Sequence, residues 1–142
     1  LAPPPAALGA ALGAAPCATL TSTAGHYLAV YKTAAEVAKL RPNFSALADL
    51  DRRAIIVTAP GADMGYDFVS RMFAPKAGIN EDPVTGSAHC VQAPYWAGRL
   101  GKRDLKARQI SARGGDVGCR VDGERVYLSG TAALYLTGKI NI

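Results

Sequence analysis

The sequence is poor in cysteine and histidine, and it lacks long uninterrupted apolar segments. Its three cysteines, Cys17, Cys90 and Cys119, are too few and of the wrong parity for a disulfide scaffold, so we expect reduced thiols in the cytoplasm. Two histidines and three scattered cysteines do not supply the spaced ligands of a zinc site, so we expect no metal. No apolar run reaches the roughly 18 residues of a spanning helix, so we expect no membrane partner.

A Gly-x-Gly-x-x-Gly motif and a phosphate-binding loop are also lacking, and nothing in the sequence therefore supports nucleotide chemistry. The 16 basic and 11 acidic residues give a formal net charge of +5. Five of the basic residues lie within 99–108, but no aromatic residue alternates with them to stack on nucleic-acid bases. A solvated face or an anion-steering patch explains this cluster better than nucleic-acid binding, which we do not expect.

The apolar content is sufficient for one compact core. The chain has 142 residues, 49% of them hydrophobic, which is the size of a single domain that needs no metal or disulfide. Residues 1–16 are rich in alanine, proline, glycine and leucine, and three consecutive prolines interrupt their start. We predict an extended linker over 1–16, followed by one domain over 17–142.

Strand patterns outnumber helix patterns, which predicts the α+β class. A capping box formed by Thr33 and Glu36 predicts a helix over 34–40, and Asn43 is placed to cap a further short turn. The Asp122-Gly123 pair predicts a hairpin turn with both residues at its centre. The apolar and β-branched runs that predict strands lie at 27–31, 54–59, 67–73, 105–112, 117–121, 124–128 and 131–140.

Chemistry concentrates in residues 81–87, which read Glu-Asp-Pro-Val-Thr-Gly-Ser and open a predicted helix over 87–100. First-turn N–H groups lack partners within a helix and carry the positive end of its dipole, which suits a substrate carboxylate. Gly86 permits close approach to the backbone, Ser87 adds a hydroxyl, and Asp82 can bind an amine or handle a proton. The alternative, that these residues only cap the helix and form a turn, explains the residue types equally well.

The longer segment over 72–96 resembles the C-terminal half of the phenazine-biosynthesis (PhzF-like) family. It reads MFAPKAGINEDPVTGSAHCVQAPYW, and the family hallmark is a Phe–Pro loop, then Glu-Asp-Pro-x-Thr-Gly-Ser-Ala-His, then an aromatic pair on a helix. The stretch over 108–140 also looks like the closing meander of that family. The resemblance extends from about Tyr27 to the end of the chain.

This resemblance implies a diaminopimelate epimerase-like fold, in which each of two similar halves wraps a curved, mostly antiparallel sheet around one central helix. The helix over 87–100 would be that helix, and the active site would lie between the halves. The family enzymes move a proton at carbon on a small carboxylate substrate without metal or cofactor. The resemblance makes Asp82 and Ser87 the catalytic residues and Gly86, Ser87 and Asp82 the substrate-binding residues. Cys90 is expected to be a packed thiol.

One departure from the family pattern limits what this chain can do alone. The principal acid/base of the family is a glutamate near the start of the N-terminal half, assisted by a histidine there. Neither Glu36 nor Glu124 stands in that context, and His26 precedes a strand rather than opening a helix. We therefore expect the chain to be inactive alone and to pair with the N-terminal half of the same protein or with a second subunit, as a homo-oligomer. The competing hypothesis is a non-catalytic, self-associating binding module of the same fold.

Overall fold

The computed structural model describes residues 6–141, in which seven strands form one sheet in sequence order. Four neighbouring pairs are antiparallel, whereas β2 with β3 and β4 with β5 are parallel. The mixture of a mostly antiparallel sheet and few helices confirms the α+β class. The strands are β1 (Ala18–Thr21), β2 (His26–Val30), β3 (Ala54–Pro60), β4 (Phe68–Phe73), β5 (Asp104–Gln109), β6 (Gly115–Asp122) and β7 (Arg125–Ser129).

Helices lie on both faces of this sheet because the two parallel pairs require crossover connections. The β2–β3 crossover contains α2 (Ala34–Lys39) and α3 (Phe44–Ala48), and the β4–β5 crossover contains α4 (Gly86–Leu100). The strands β2 and β3 run opposite to β4 and β5, and both crossovers move to the next strand in the same direction across the sheet. Two crossovers of the same handedness therefore place their helices on opposite faces. Apolar clusters on the two faces confirm this arrangement.

The predicted linker is wrong over residues 6–12. Residues Ala6–Leu12 form a helix, α1, and Leu8 and Leu12 are fully buried in the core that α2 and α3 share. The reason is spacing: Leu8, Ala11 and Leu12 recur at three and four residues and form one apolar stripe despite the linker-like composition. Residues 1–5 lie outside the described range.

Local signals predicted most of the other elements. Thr33 and Glu36 form the capping box at α2, and the Asn43 side chain accepts a hydrogen bond from the Ala46 N–H at α3. The hairpin turn is displaced by one residue from its predicted position. Asp122 pairs with Arg125, so Gly123 and Glu124 are the central residues, and only Gly123 has a positive φ, of 58°. A type II′ turn needs positive φ at its first central position alone.

The predicted final strand over 131–140 is absent: the described residues after β7 have no regular structure. Their apolar side chains are exposed, with Leu134 87% and Leu136 78% accessible to solvent. A strand forms when its backbone N–H and C=O groups pair with a neighbour, and no described strand pairs with this segment. Within residues 6–141, no helix combines the length and the hydropathy needed to cross a lipid bilayer.

Candidate active site

The Glu81–Ser87 segment lies at the end of the sheet where β4 finishes and α4 begins. After β4, a 3-10 turn over Pro75–Ala77 reverses the chain, and the Asp82 N–H then donates to the Met72 carbonyl at 3.0 Å. This bond returns the segment to the sheet edge just before the helix starts. Asp82, Gly86 and Ser87 are thereby brought together at the N-terminus of α4, as the sequence predicted.

The N-terminus of α4 is open to solvent. Gly86 and Ser87 are exposed, and the side chain of the N-cap residue, Thr85, makes no hydrogen bond to the first turn of the helix. The Thr85 hydroxyl instead donates to the Asp82 carboxylate. A Cβ added at Gly86 would lie 3.4 Å from Leu128 Cδ1, so β7 supplies an apolar wall beside this turn. Thr85 therefore does not act as a simple capping residue.

Gln109, at the end of β5, holds the segment from the side of the sheet. Its Nε2 donates to the Asp82 carbonyl at 2.6 Å and to the Thr85 hydroxyl at 3.2 Å. Its Oε1 accepts from the Thr85 N–H at 2.9 Å. Sequence reasoning did not single out Gln109, because its partners are 24 or more residues away along the chain and no local pattern marks it.

His89 faces the sheet one turn inside α4 and is fully buried. Its Nδ1 lies 2.7 Å from the Thr85 carbonyl oxygen, which can only accept, so Nδ1 carries the proton. Burial lowers the pKa of His89, and the hydrogen bond to the Thr85 backbone raises it by less. The ring is therefore neutral near pH 7 and acts as a fixed donor to the N-cap residue.

An ion pair attaches the start of the segment to the opposite face of the sheet. Arg71, on β4, contacts Glu81 with two hydrogen bonds, Nε to Oε1 at 2.7 Å and Nη2 to Oε2 at 2.9 Å. Its Nη1 also donates to the carbonyls of Val37 and Leu40 at the C-terminal end of α2. The site segment is thus connected to both layers of helices, and Arg71 was a second functional neighbour that sequence reasoning missed.

Gly115, the first residue of β6, packs against the site segment. A Cβ at Gly115 would lie 2.5 Å from Val84 Cγ2, so only glycine lets Val84 pack at that position. Ser111 holds Pro83, the residue before Val84, because the Ser111 Oγ donates to the Pro83 carbonyl at 2.7 Å. Residues 82–85 are consequently fixed along their whole length.

Other predicted features differ from expectation or carry no site. Cys90 is exposed, not packed, because it lies on the outer side of α4. Three members of the 99–108 basic cluster are paired with carboxylates, which reduces its excess charge: Lys102 with Asp67, Arg103 with Asp122 and Arg108 with Asp116. Among the described residues, no three side chains of His, Cys, Asp or Glu converge closely enough to hold a metal ion.

Comparisons with known proteins match this geometry to one family. The family model described as phenazine biosynthesis-like protein matches residues 4–138. An uncharacterized isomerase of Pseudomonas aeruginosa is 51% identical over 132 residues, which cover 93% of this chain and 49% of that protein. An uncharacterized isomerase of Halalkalibacterium halodurans is 44% identical over 114 residues, which cover 80% and 43%.

A solved structure gives the same result for the fold. The crystal structure of a phenazine biosynthesis protein of the PhzF family from Enterococcus faecalis superposes with a TM-score of 0.88 at 44% identity. The match covers 94% of this chain and 50% of that one. This chain therefore spans about half the length of the curated relatives it matches. On a family model matched over residues 4–138, the chain belongs to the phenazine biosynthesis-like (PhzF) protein family.

Proposed function

We propose that this chain is the C-terminal half of a cofactor-independent isomerase that moves a proton at carbon on a small carboxylate substrate. The observation that carries the proposal is the placement of the Asp82 carboxylate beside the open first turn of α4. Family membership supports the reaction class, since the P. aeruginosa and H. halodurans relatives are named isomerases.

In this mechanism the substrate carboxylate binds the N–H groups of Gly86 and Ser87. The helix dipole and the unpaired donors contribute about 1 kcal/mol to binding an exposed anion and up to about 2 kcal/mol when the site is partly buried. The Ser87 hydroxyl donates one further hydrogen bond, so Ser87→Ala is expected to weaken binding by about 1 kcal/mol. Leu128 packs against the apolar part of the substrate.

Asp82 takes up or returns the proton at the reacting carbon, for which a positioned carboxylate is a suitable group. The resemblance to the family also implies a second acid/base. That resemblance assigns it to a glutamate of an N-terminal half, and this chain spans about half of its relatives. Among the described residues, Glu81 lies just before the α4 N-terminus and is paired with Arg71. The second half would also cover the open end of α4, in a protein that forms homo-oligomers.

Solvent-deuterium incorporation into a panel of small carboxylates tests the proposal. In the complete two-half protein, Asp82→Asn keeps the shape and removes the charge, and it is expected to slow exchange by roughly 10²–10⁴-fold. The matched control is Asp63→Asn, an exposed aspartate in a second 3-10 turn, Ala62–Met64, which lies between β3 and β4 at the other end of the sheet and should exchange at the wild-type rate.

Two outcomes would overturn the assignment. Unchanged exchange in Asp82→Asn would remove Asp82 from the reaction. Turnover by this 142-residue chain alone would show that no acid/base from a second half is required. A complete protein that self-associates but exchanges no carbon-bound proton of the carboxylates tested would favour a non-catalytic binding module of the same fold.

A further inference from the structure

The two buried glutamines at the interface of α4 and the sheet differ in how their amide groups are satisfied. Gln92 and Gln109 are both completely buried. Both amide atoms of Gln92 lack a hydrogen-bond partner among the described residues. Gln109 makes three hydrogen bonds, and all of them go to Asp82 or Thr85. Its amide is therefore committed to the site segment rather than to the general packing of the core.

The chemistry of these bonds fixes the orientation of the Gln109 amide. One face of the network presents two oxygen atoms, the Asp82 carbonyl and the Thr85 hydroxyl, and only the NH₂ end can donate to both. The Thr85 N–H presents a donor, which only the amide oxygen can accept. A rotated amide would oppose like groups at the Asp82 carbonyl and at the Thr85 N–H, so a single orientation satisfies every atom.

This orientation determines the direction of the Thr85 hydroxyl. Because Thr85 Oγ1 accepts a hydrogen from Gln109 Nε2, its own hydrogen points to the remaining acceptor, the Asp82 carboxylate. Gln109 also fixes the Asp82 backbone through the carbonyl at 2.6 Å. The Gln109 amide therefore positions both the main chain and the side chain of Asp82.

We propose that Gln109 is a positioning residue for the reaction: it sets the place of the Asp82 carboxylate directly through the Asp82 backbone and indirectly through the Thr85 hydroxyl. The proposal rests on the proposed function, in which Asp82 acts on the substrate proton. Displacing a reacting group by about 1 Å lowers the rate by about 10²-fold, even when the substituted residue does not touch the substrate.

The test compares Gln109→Met with Gln92→Met in the complete protein. Methionine has a similar length and volume but makes no comparable hydrogen bonds. Gln109→Met is expected to slow deuterium exchange about 10²-fold while the inhibition constant of benzoate, the carboxylate probe, changes less than about 3-fold, because the α4 N–H groups remain. Gln92→Met should exchange at the wild-type rate. A wild-type rate in Gln109→Met would overturn the proposal.

Substitutions at Thr85 keep the proposal testable if Gln109→Met does not fold. Thr85→Val removes the hydroxyl with little change of shape and should slow exchange as Gln109→Met does, whereas Thr85→Ser should restore most of that loss. Where both Gln109→Met and Thr85→Val fold, the double variant should be little slower than either single one, since the residues act as a unit. A wild-type rate in Thr85→Val would contradict the indirect route.

Crystal structures separate a failure of this inference from a failure of the proposed function. If the wild-type protein exchanges no carbon-bound proton of any carboxylate tested, the proposed function is wrong. The position of Asp82 can still be compared between wild type and Gln109→Met. A displaced or multiply oriented Asp82 carboxylate supports the positioning role. An Asp82 carboxylate that keeps its place overturns it.

Discussion

The two faces of the sheet are built differently. The face covered by α1, α2 and α3 is packed with apolar side chains, such as Leu8, Val37 and Leu47, all fully buried. The face beneath α4 contains a row of polar residues on three adjacent strands, Thr58, Ser70 and Gln109, opposite polar side chains of the helix. The buried atoms without a described partner there belong to Ser70, His89 and Gln92.

This difference lies in polar content, because apolar clusters are buried on both faces. Burial of apolar area is the main source of stability, and the α1–α3 face supplies it with few polar interruptions. Buried polar groups cost stability unless they are paired. In this row the Thr58 hydroxyl and the Gln109 amide are hydrogen-bonded, whereas the Ser70 hydroxyl has no described partner. One end of that row, Gln109, reaches Asp82 and Thr85. The face that contains this polar row is therefore the one that holds the candidate site.

Leu8→Ala should give the largest effect on stability and tests the contribution of the α1–α3 face. Truncating a fully buried leucine removes apolar contacts and leaves a cavity, which is expected to lower the unfolding free energy by about 2–5 kcal/mol. The measurement is the denaturant midpoint of the complete protein. An unchanged midpoint would mean that Ala6–Leu12 contributes no packing to the core, as a linker would.

Glu81→Gln should have the next largest effect, because it breaks the connection between the two faces. The side chains of Arg71 and Glu81 are only 12% and 21% exposed, and the guanidinium would lose a charged, two-point partner. We expect a loss of about 1.5–3 kcal/mol. Asp122→Asn, in the exposed pair with Arg103, is the matched control and should cost about 1 kcal/mol or less. Equal losses in the two variants would show that burial gives the Arg71 pair no additional strength.

His89 is expected to make stability depend on pH. Burial holds the pKa of His89 below the ordinary value of 6.5, so the unfolded chain takes up the proton first as the pH falls. The stability that this histidine contributes is complete above about pH 6.5 and declines below it, by at most about 1.4 kcal/mol per pH unit. In His89→Asn, which retains a donor toward Thr85, the decline between pH 6.5 and 5.5 should be smaller than in wild type. Parallel profiles would show that His89 does not titrate differently on folding.

Gln92→Met should have the smallest effect and the opposite sign from Leu8→Ala. Replacing a buried amide that has no described partner with an apolar side chain of similar volume removes a desolvation cost without removing a hydrogen bond. The unfolding free energy is expected to stay constant or to rise by about 1 kcal/mol or less. A loss of more than about 2 kcal/mol would mean that water satisfies the Gln92 amide strongly in the folded protein.

The elements that the sequence predicted correctly are those with local signals. The capping box at Thr33, the Asn43 cap and the apolar run over 54–59 each depend on residues within a few positions of one another. The linker prediction failed over residues 6–12, because the spacing of Leu8, Ala11 and Leu12 outweighs the linker-like composition. The strand over 131–140 has the expected residue types, but strand formation also needs a neighbouring strand, which propensity does not encode.

The candidate site was predictable only in part, for the same reason. Asp82, Gly86 and Ser87 lie within one short motif, and their meeting at a helix N-terminus follows from local structure. Gln109 and Arg71 reach the motif through the sheet, from positions whose partners are set by strand order rather than by spacing. His89 and Gln92 occupy inward positions of α4 at which periodicity alone predicts apolar side chains.

A crystal structure of the complete protein with benzoate decides whether the first turn of α4 and Asp82 together bind the substrate. We predict one carboxylate oxygen at hydrogen-bond distance from the N–H groups of Gly86 and Ser87, and the ring packed toward Leu128 with Asp82 within reach of it. Benzoate bound elsewhere, with the N-terminus of α4 unoccupied at saturating concentration, would contradict the account.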